Sequence, residues 1–200
     1  GRRTRRRSTP GLDVGIRPEQ GKVLVTGASG GVGSVAVALL AQLGFTVVAA
    51  TGKKAAHAWL ADLGASDFVD REMLLADQKK ALHKPQWAAA VDTLGGEPLA
   101  NLLKSVQYGG SVACCGLAAS ADLPASVLPF ILRGINLLGV DSVELPREIK
   151  QQIWDQLASE WKLDKLEQLL TQVLTLEVLP AYLADLLAGR TRGRAIVALS

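Results

Sequence analysis

The chain has 200 residues, enough for one good-sized domain, and at 48% hydrophobic and 20% charged residues it excludes bulk disorder. Its net charge is +3, but Arg2, Arg3, Arg5, Arg6 and Arg7 supply five positive charges; without them the sum is −2, so the basicity belongs to a tail and not to the body. Aromatic residues make up only 4%, too few for a base-stacking surface, so specific nucleic-acid binding is not expected beyond what the arginine tail could do by charge.

Residues 1–20 are rich in Arg, Gly and Pro and lack periodicity, which predicts a tail and linker. Val23-Leu24-Val25-Thr26 is a short apolar run between glycines, a buried strand. A helix is predicted over Gly31 to Leu43, a strand over Thr46 to Ala50, and a helix from Lys54 to Leu63 that Gly64 ends. Phe68-Val69 is a third strand, followed by a polar helix from Glu72 to Leu82. A strand over Ala88 to Asp92, a helix over Pro98 to Ser105, and strands over Ser111 to Cys115 and Ile135 to Val140 follow. After Pro146 the pattern turns helical, over Arg147 to Ser159, Leu163 to Gln172 and Val178 to Leu187, before a last strand from Ala195 to Leu199.

Alternating strands and helices at this spacing predict an α/β fold: a Rossmann-type, doubly wound, parallel six-stranded sheet with C-terminal helices and a terminal strand. The expected division is a tail over 1–20, a nucleotide-binding domain over 21–145, and a C-terminal segment over 146–200. Cys114 and Cys115 are adjacent and have no other partner, which suits a reduced, cytoplasmic protein. The apolar stretch Val35 to Ala50 is interrupted by Gln42, Gly44 and Thr46, so no membrane span is expected.

The strongest local signal is Thr26-Gly27-Ala28-Ser29-Gly30-Gly31-Val32-Gly33-Ser34, after a strand and at the start of a helix. Gly27 and Gly30 would allow a tight turn with unusual φ, and Gly33 would let the helix pack closely on the sheet. The amides of Ser29, Gly30, Gly31, Val32 and Gly33, with the helix dipole behind them, could then hold a diphosphate. A P-loop is excluded, because Gly33 is followed by Ser34 and not by Lys.

The end of the second strand discriminates between dinucleotides. NAD binders place an acid there to bond the ribose 2′-hydroxyl. This chain reads Ala50-Thr51-Gly52-Lys53-Lys54, and no acid appears before Asp62. Thr51, Gly52 and Lys53, with Arg71 after the third strand, suit a phosphate, so NADP(H) is the expected cofactor. Lysines at 53 and 54 could also begin any solvated helix, but that reading leaves the missing acid unexplained. The short-chain dehydrogenase alternative needs Tyr followed four residues on by Lys; Tyr108 and Tyr182 are followed at that distance by Val112 and Leu186.

Gly27 to Ser34, Leu63-Gly-Ala-Ser66, Val91-Asp-Thr93, Tyr108-Gly-Gly110, Cys115-Gly-Leu117, Leu128-Pro-Phe-Ile-Leu-Arg133 and Gly139-Val-Asp-Ser-Val143 stand in one order. In these motifs the chain resembles the acryloyl-CoA reductase branch of the medium-chain dehydrogenase/reductases, whose members are often labelled quinone oxidoreductases. The resemblance runs from about Gly15 to Leu199. It implies NADPH-dependent reduction of an activated carbon–carbon double bond, with an acyl-CoA enone or a quinone as partner and no zinc. It also implies that Ser29 to Val32 hold the pyrophosphate, that Thr51, Gly52, Lys53 and Arg71 hold the 2′-phosphate, and that Leu117 lies against the nicotinamide end. A homodimer through the sixth strand, near Asp141 and Ser142, is implied as well. The family carries an N-terminal GroES-like domain that supplies a Tyr at the nicotinamide; here residues 1–10 look unrelated to it, and the expectation is an aberrant segment. The family strand 195–199 would then lack its usual neighbour and be poorly anchored. The rival expectation is a fragment that holds NADP(H) and turns nothing over.

Three carboxyl and imidazole candidates, Asp92, His57 and His83, have plain alternatives. Asp92 ends a strand where α/β crevices open, or caps the turn at Leu94-Gly95-Gly96. His57 and His83 are expected at the surface, and Trp87, Trp154 and Trp161 as packing residues.

Overall fold

The computed structural model describes residues 16–77 and 79–199. Most of the arginine-rich tail, with its expected aberrant origin and any charge-driven nucleic-acid binding, therefore lies outside the described residues.

The elements are β1 (Lys22–Val25), α1 (Gly31–Gln42), β2 (Val47–Ala50), α2 (His57–Leu63), β3 (Ala65–Val69), β4 (Trp87–Asp92), α3 (Gly96–Leu103) and β5 (Val106–Cys114). They continue with α4 (Leu128–Arg133), β6 (Asn136–Gly139), α5 (Arg147–Ala158), β7 (Leu170–Leu174), α6 (Leu179–Leu187) and β8 (Arg194–Val197). Six strands form one sheet in the order β3-β2-β1-β4-β5-β6, and every pairing is parallel. That is the doubly wound order, with its reversal between β1 and β4.

The central strands are short apolar runs because both faces are covered. Leu24 and Val48 point into one core layer with Leu99, Leu102, Leu103 and Val112. Val25, Val47 and Ala49 point into the other with Val37, Leu60 and Leu63. The period of two along a strand thus feeds two cores at once.

Several expected elements take another form. The helix expected over Glu72 to Leu82 is only a 3-10 segment, Arg71–Leu75. The buried Asn101 of α3 donates through Nδ2 to the carbonyls of Leu74 (2.9 Å) and Ala76 (2.8 Å), which takes carbonyls that a continuing helix would need. Asp77 then turns with φ of 52°. The helix expected over Leu163 to Gln172 is instead a short 3-10 turn, Leu166–Leu169, leading into β7. Thr171 and Val173 are β-branched, and β8 offers a parallel partner from Leu170↔Arg194 to Leu174↔Val197.

The last strand is better anchored than expected. Beyond pairing with β7, its approach is tied to the body by the Gly193 N–H, which donates to the Ser29 carbonyl at 2.9 Å. Around it, Trp59 Nε1 donates to Gln168 O (2.8 Å) and Gln42 Nε2 to Lys162 O (2.7 Å), so the C-terminal segment packs on α1 and α2. Trp87 packs in the core, whereas Trp154 is 66% exposed and does not serve as a packing residue among the described residues. Both histidines have partners: His57 stacks on Phe68 with centroids 4.1 Å apart, and His83 Nε2 lies 3.1 Å from Asp77 O. No helix among the described residues is long and apolar enough to cross a membrane.

Candidate functional site

The glycine turn joins β1 to α1 at the carboxyl end of the sheet, beside the point where strand order reverses. Gly27 adopts φ of 57°, and a Cβ there would stand 2.2 Å from Thr93 Oγ1, so this position needs glycine twice over. Gly30 differs from the expectation: its φ is −83°, ordinary for any residue, and its constraint is the Gly27 carbonyl 3.2 Å from where a Cβ would lie. A Cβ on Gly33 would lie 2.4 Å from the Gly27 carbonyl oxygen, which is the close helix–turn packing read from the sequence.

Gly30 is the N-cap of α1, has no side chain to cap it, and no acid lies in the first turn. The first-turn amides therefore keep their donor capacity and the positive end of the dipole is not neutralised. Val32 is half exposed above them at 53%.

Two threonines hold the turn in place. Thr26 Oγ1 donates to the buried Asp92 Oδ1 at 2.7 Å and accepts from Thr93 N at 3.0 Å, while Thr93 Oγ1 donates back to Thr26 O. Asp92 Oδ2 accepts from Gly95 N at 2.8 Å, so the aspartate does cap the turn after β4 and also buttresses the glycine turn. Burial pushes its carboxyl above the usual range, against the opposing pull of Gly95, Thr26 and Leu94 donors. Thr26 and Thr93 were not singled out in the sequence; their signal is their place at the ends of adjacent parallel strands.

On the other flank, Thr51 Oγ1 donates to Ser29 Oγ at 3.0 Å and accepts from Lys53 N at 3.2 Å, and both hydroxyls are buried. Arg71 follows β3 and lies over Gly52: a Cβ on Gly52 would meet Arg71 Cβ at 3.6 Å. Lys53 turns its ammonium to the carbonyl of Thr191, and partial burial lowers its pKa. Ser29 to Gly33, Thr51, Gly52, Lys53 and Arg71 are thus one neighbourhood. Leu117 is on the far side of the strand reversal, 68% exposed, with its Cα 3.5 Å from where a Gly95 Cβ would stand.

The segment 190–194 was also not foreseen as part of this neighbourhood. Its signal is the run Gly189-Arg-Thr-Arg-Gly-Arg194, in which basic residues alternate with small ones. Cys114 and Cys115 are free, and burial pushes both thiols up, which suits packing and not nucleophilic chemistry. Among the described residues no group of three or more His, Cys, Asp or Glu is placed to hold a metal.

Comparison with known proteins follows this geometry. A model of the family described as zinc-binding dehydrogenases matches residues 31–159. A putative quinone oxidoreductase of Bacillus subtilis is 48% identical over 185 residues, 92% of this chain and 56% of that protein. An acrylyl-CoA reductase of Ruegeria pomeroyi is 46% identical over the same share of each chain. The crystal structure of an oxidoreductase of Salmonella enterica in complex with NADP superposes with a TM-score of 0.88 at 41% identity, covering 94% of this chain and 57% of that one. The chain spans little more than half the length of these relatives.

Proposed function

The chain belongs to the zinc-binding dehydrogenase family of the medium-chain dehydrogenase/reductases, and we propose on that premise that it is the NADP(H)-binding part of a reductase acting on an activated carbon–carbon double bond of an acyl-CoA, or on a quinone. The observation that carries the reading is the pairing of an uncapped glycine turn with a β2 end that holds Thr51, Gly52 and Lys53 where an NAD site would hold an acid.

The residues fit the dinucleotide. Gly30 and Gly31 bring no side chain to the turn; the Gly30 N–H already donates to Gly27 O at 2.9 Å, so the donors offered to a diphosphate would be the other amides of the expected set, Ser29, Gly31, Val32 and Gly33, at the positive end of α1. Thr51, Gly52, Lys53 and Arg71 would hold the 2′-phosphate: one hydroxyl, backbone amides and two cations. Leu117, across the strand reversal, would meet the nicotinamide end. When bound, the cofactor supplies the hydride. The chain itself contributes orientation: Thr26 and Asp92 fix the turn, and the Thr51–Ser29 hydrogen bond fixes the spacing between the two phosphate subsites.

Two further elements belong to this reading. β6 is the edge of the six-stranded sheet, with Val140 and Val143 exposed beyond it, which supports a homodimer through that edge. The two free, buried-shifted thiols support a reducing, cytoplasmic setting.

Titration of the chain with NADPH, read by nicotinamide fluorescence, followed by an acryloyl-CoA turnover assay, tests the reading. Saturable binding with turnover is the expected outcome for the reductase. Binding without turnover would leave the cofactor-holding role alone, and no binding would overturn both.

A further inference from the structure

Arg71 opens the 3-10 segment Arg71–Leu75, and its side chain has no ion pair or hydrogen bond among the described residues. Its place over Gly52 is therefore set by the path of the backbone. Upstream that path is fixed, because Val69 ends β3 in register with Ala50 of β2. Downstream it is held lightly. Of the five residues Arg71–Leu75 only Leu74 is buried, and Met73 is 63% exposed. Behind the segment lies a cavity of about 390 Å³, with Met73, Leu74 and Ala76 on one side and Trp87, Leu102 and Ser105 on the other. A segment lying over open space has few packing contacts to resist its movement.

Asn101 of α3 supplies the missing restraint. Its Nδ2 donates to Leu74 O at 2.9 Å and to Ala76 O at 2.8 Å, which pins the end of the 3-10 segment and the residue after it. An asparagine is an unfavourable choice for packing alone. The residue is 4% exposed, lies between the buried Ala100 and Leu102, and its Oδ1 has no hydrogen-bond partner among the described residues. A leucine there would leave no buried acceptor without a donor. What the amide provides, and a leucine cannot, is the pair of bonds to the segment that carries Arg71.

Resting on the dinucleotide reading above, we propose that Asn101 is a positioning residue for selectivity between NADPH and NADH: by fixing the 3-10 segment it holds Arg71 over Gly52, at the 2′-phosphate subsite. Asn101 acts through Arg71, since both of its donated bonds go to the backbone of residues 74 and 76. Its loss should therefore be felt by the cofactor that carries the 2′-phosphate and hardly by the one that lacks it.

The test is a double-mutant cycle, read as the ratio of NADPH to NADH affinity in fluorescence titrations of chains shown to be folded by circular dichroism. Arg71→Gln is expected to lower the ratio about tenfold, the size of a charge-assisted phosphate contact. Asn101→Leu should lower it by about fivefold or more, with NADH affinity within about twofold of wild type. Added to Arg71→Gln, it should lower the ratio by less than about twofold further. If Asn101→Leu does not fold, Asn101→Thr, which keeps one donor, takes its place in the cycle with an expected fall of about threefold. An unchanged ratio in a folded Asn101 variant would overturn the proposal, as would equal losses for both cofactors or full additivity with Arg71→Gln. In each of those cases a lowered ratio in Arg71→Gln would leave the dinucleotide reading standing. If the wild-type chain bound neither cofactor, that reading would fall and the proposal with it.

Discussion

Thr51 and Ser29 share a buried hydrogen bond, 3.0 Å from Oγ1 to Oγ, that ties the end of β2 to the turn after β1. On the proposed reading, the bond would set how far the two phosphate subsites lie from each other. Thr51→Val keeps the shape of the side chain and removes the donor. It is expected to weaken NADPH binding about tenfold, through a loss on the order of 1–2 kcal/mol, and NADH binding less. Fluorescence titrations with both cofactors check this; an equal loss for the two would place Thr51 outside the 2′-phosphate subsite.

Gly33 is a packing glycine, because the Gly27 carbonyl stands 2.4 Å from where its Cβ would be. Gly33→Ala must push α1 away from the turn. A loss of roughly 1–3 kcal/mol of stability is expected, together with weaker NADPH binding. Urea denaturation measures the first effect. Unchanged stability would mean that α1 has room the structure does not show.

What could be read from the sequence follows from how local each requirement is. The glycine turn was legible because its constraints are met by residues within one turn of each other, Gly27 and Gly33. The missing acid at Thr51–Lys53 was legible because it marks a fixed distance from the glycines. The segment after Arg71 was misread as a helix because the deciding group, Asn101, comes from another element. β7 was misread for the same reason, since its partner β8 follows only after α6. The strap at 190–194 reaches Ser29 and Lys53 across most of the chain, and no window of sequence contains both ends of those contacts.

Asp92 gives a signed pH dependence. Its carboxyl is raised by burial, so the folded chain holds this proton more firmly than the unfolded chain does. The contribution to stability is therefore full at acid pH, below the unfolded value, and is lost as pH rises through the folded value. Asp92→Asn abolishes the titration while losing one of the two acceptors for Thr26 and Gly95. The stability advantage of wild type over Asp92→Asn should shrink as pH rises from acid toward neutral. Denaturation curves of both chains across that range test it, and a constant difference would contradict the assignment.

Lys53 carries the opposite sign. Burial lowers its pKa, so its charge is lost at a lower pH than an ordinary lysine's. NADPH affinity should fall as pH rises into the alkaline range, because the phosphate loses a cation. Lys53→Arg stays charged there and should flatten the fall. An identical pH profile for wild type and Lys53→Arg would remove Lys53 from the subsite.

The most direct measurement is the affinity of the unaltered chain for NADPH and NADH under one condition. An uncapped glycine turn beside Thr51, Gly52, Lys53 and Arg71 predicts saturable binding of both, with NADPH tighter by at least about tenfold, the size of a charge-assisted phosphate contact. Equal affinity, or no binding of either, would contradict it.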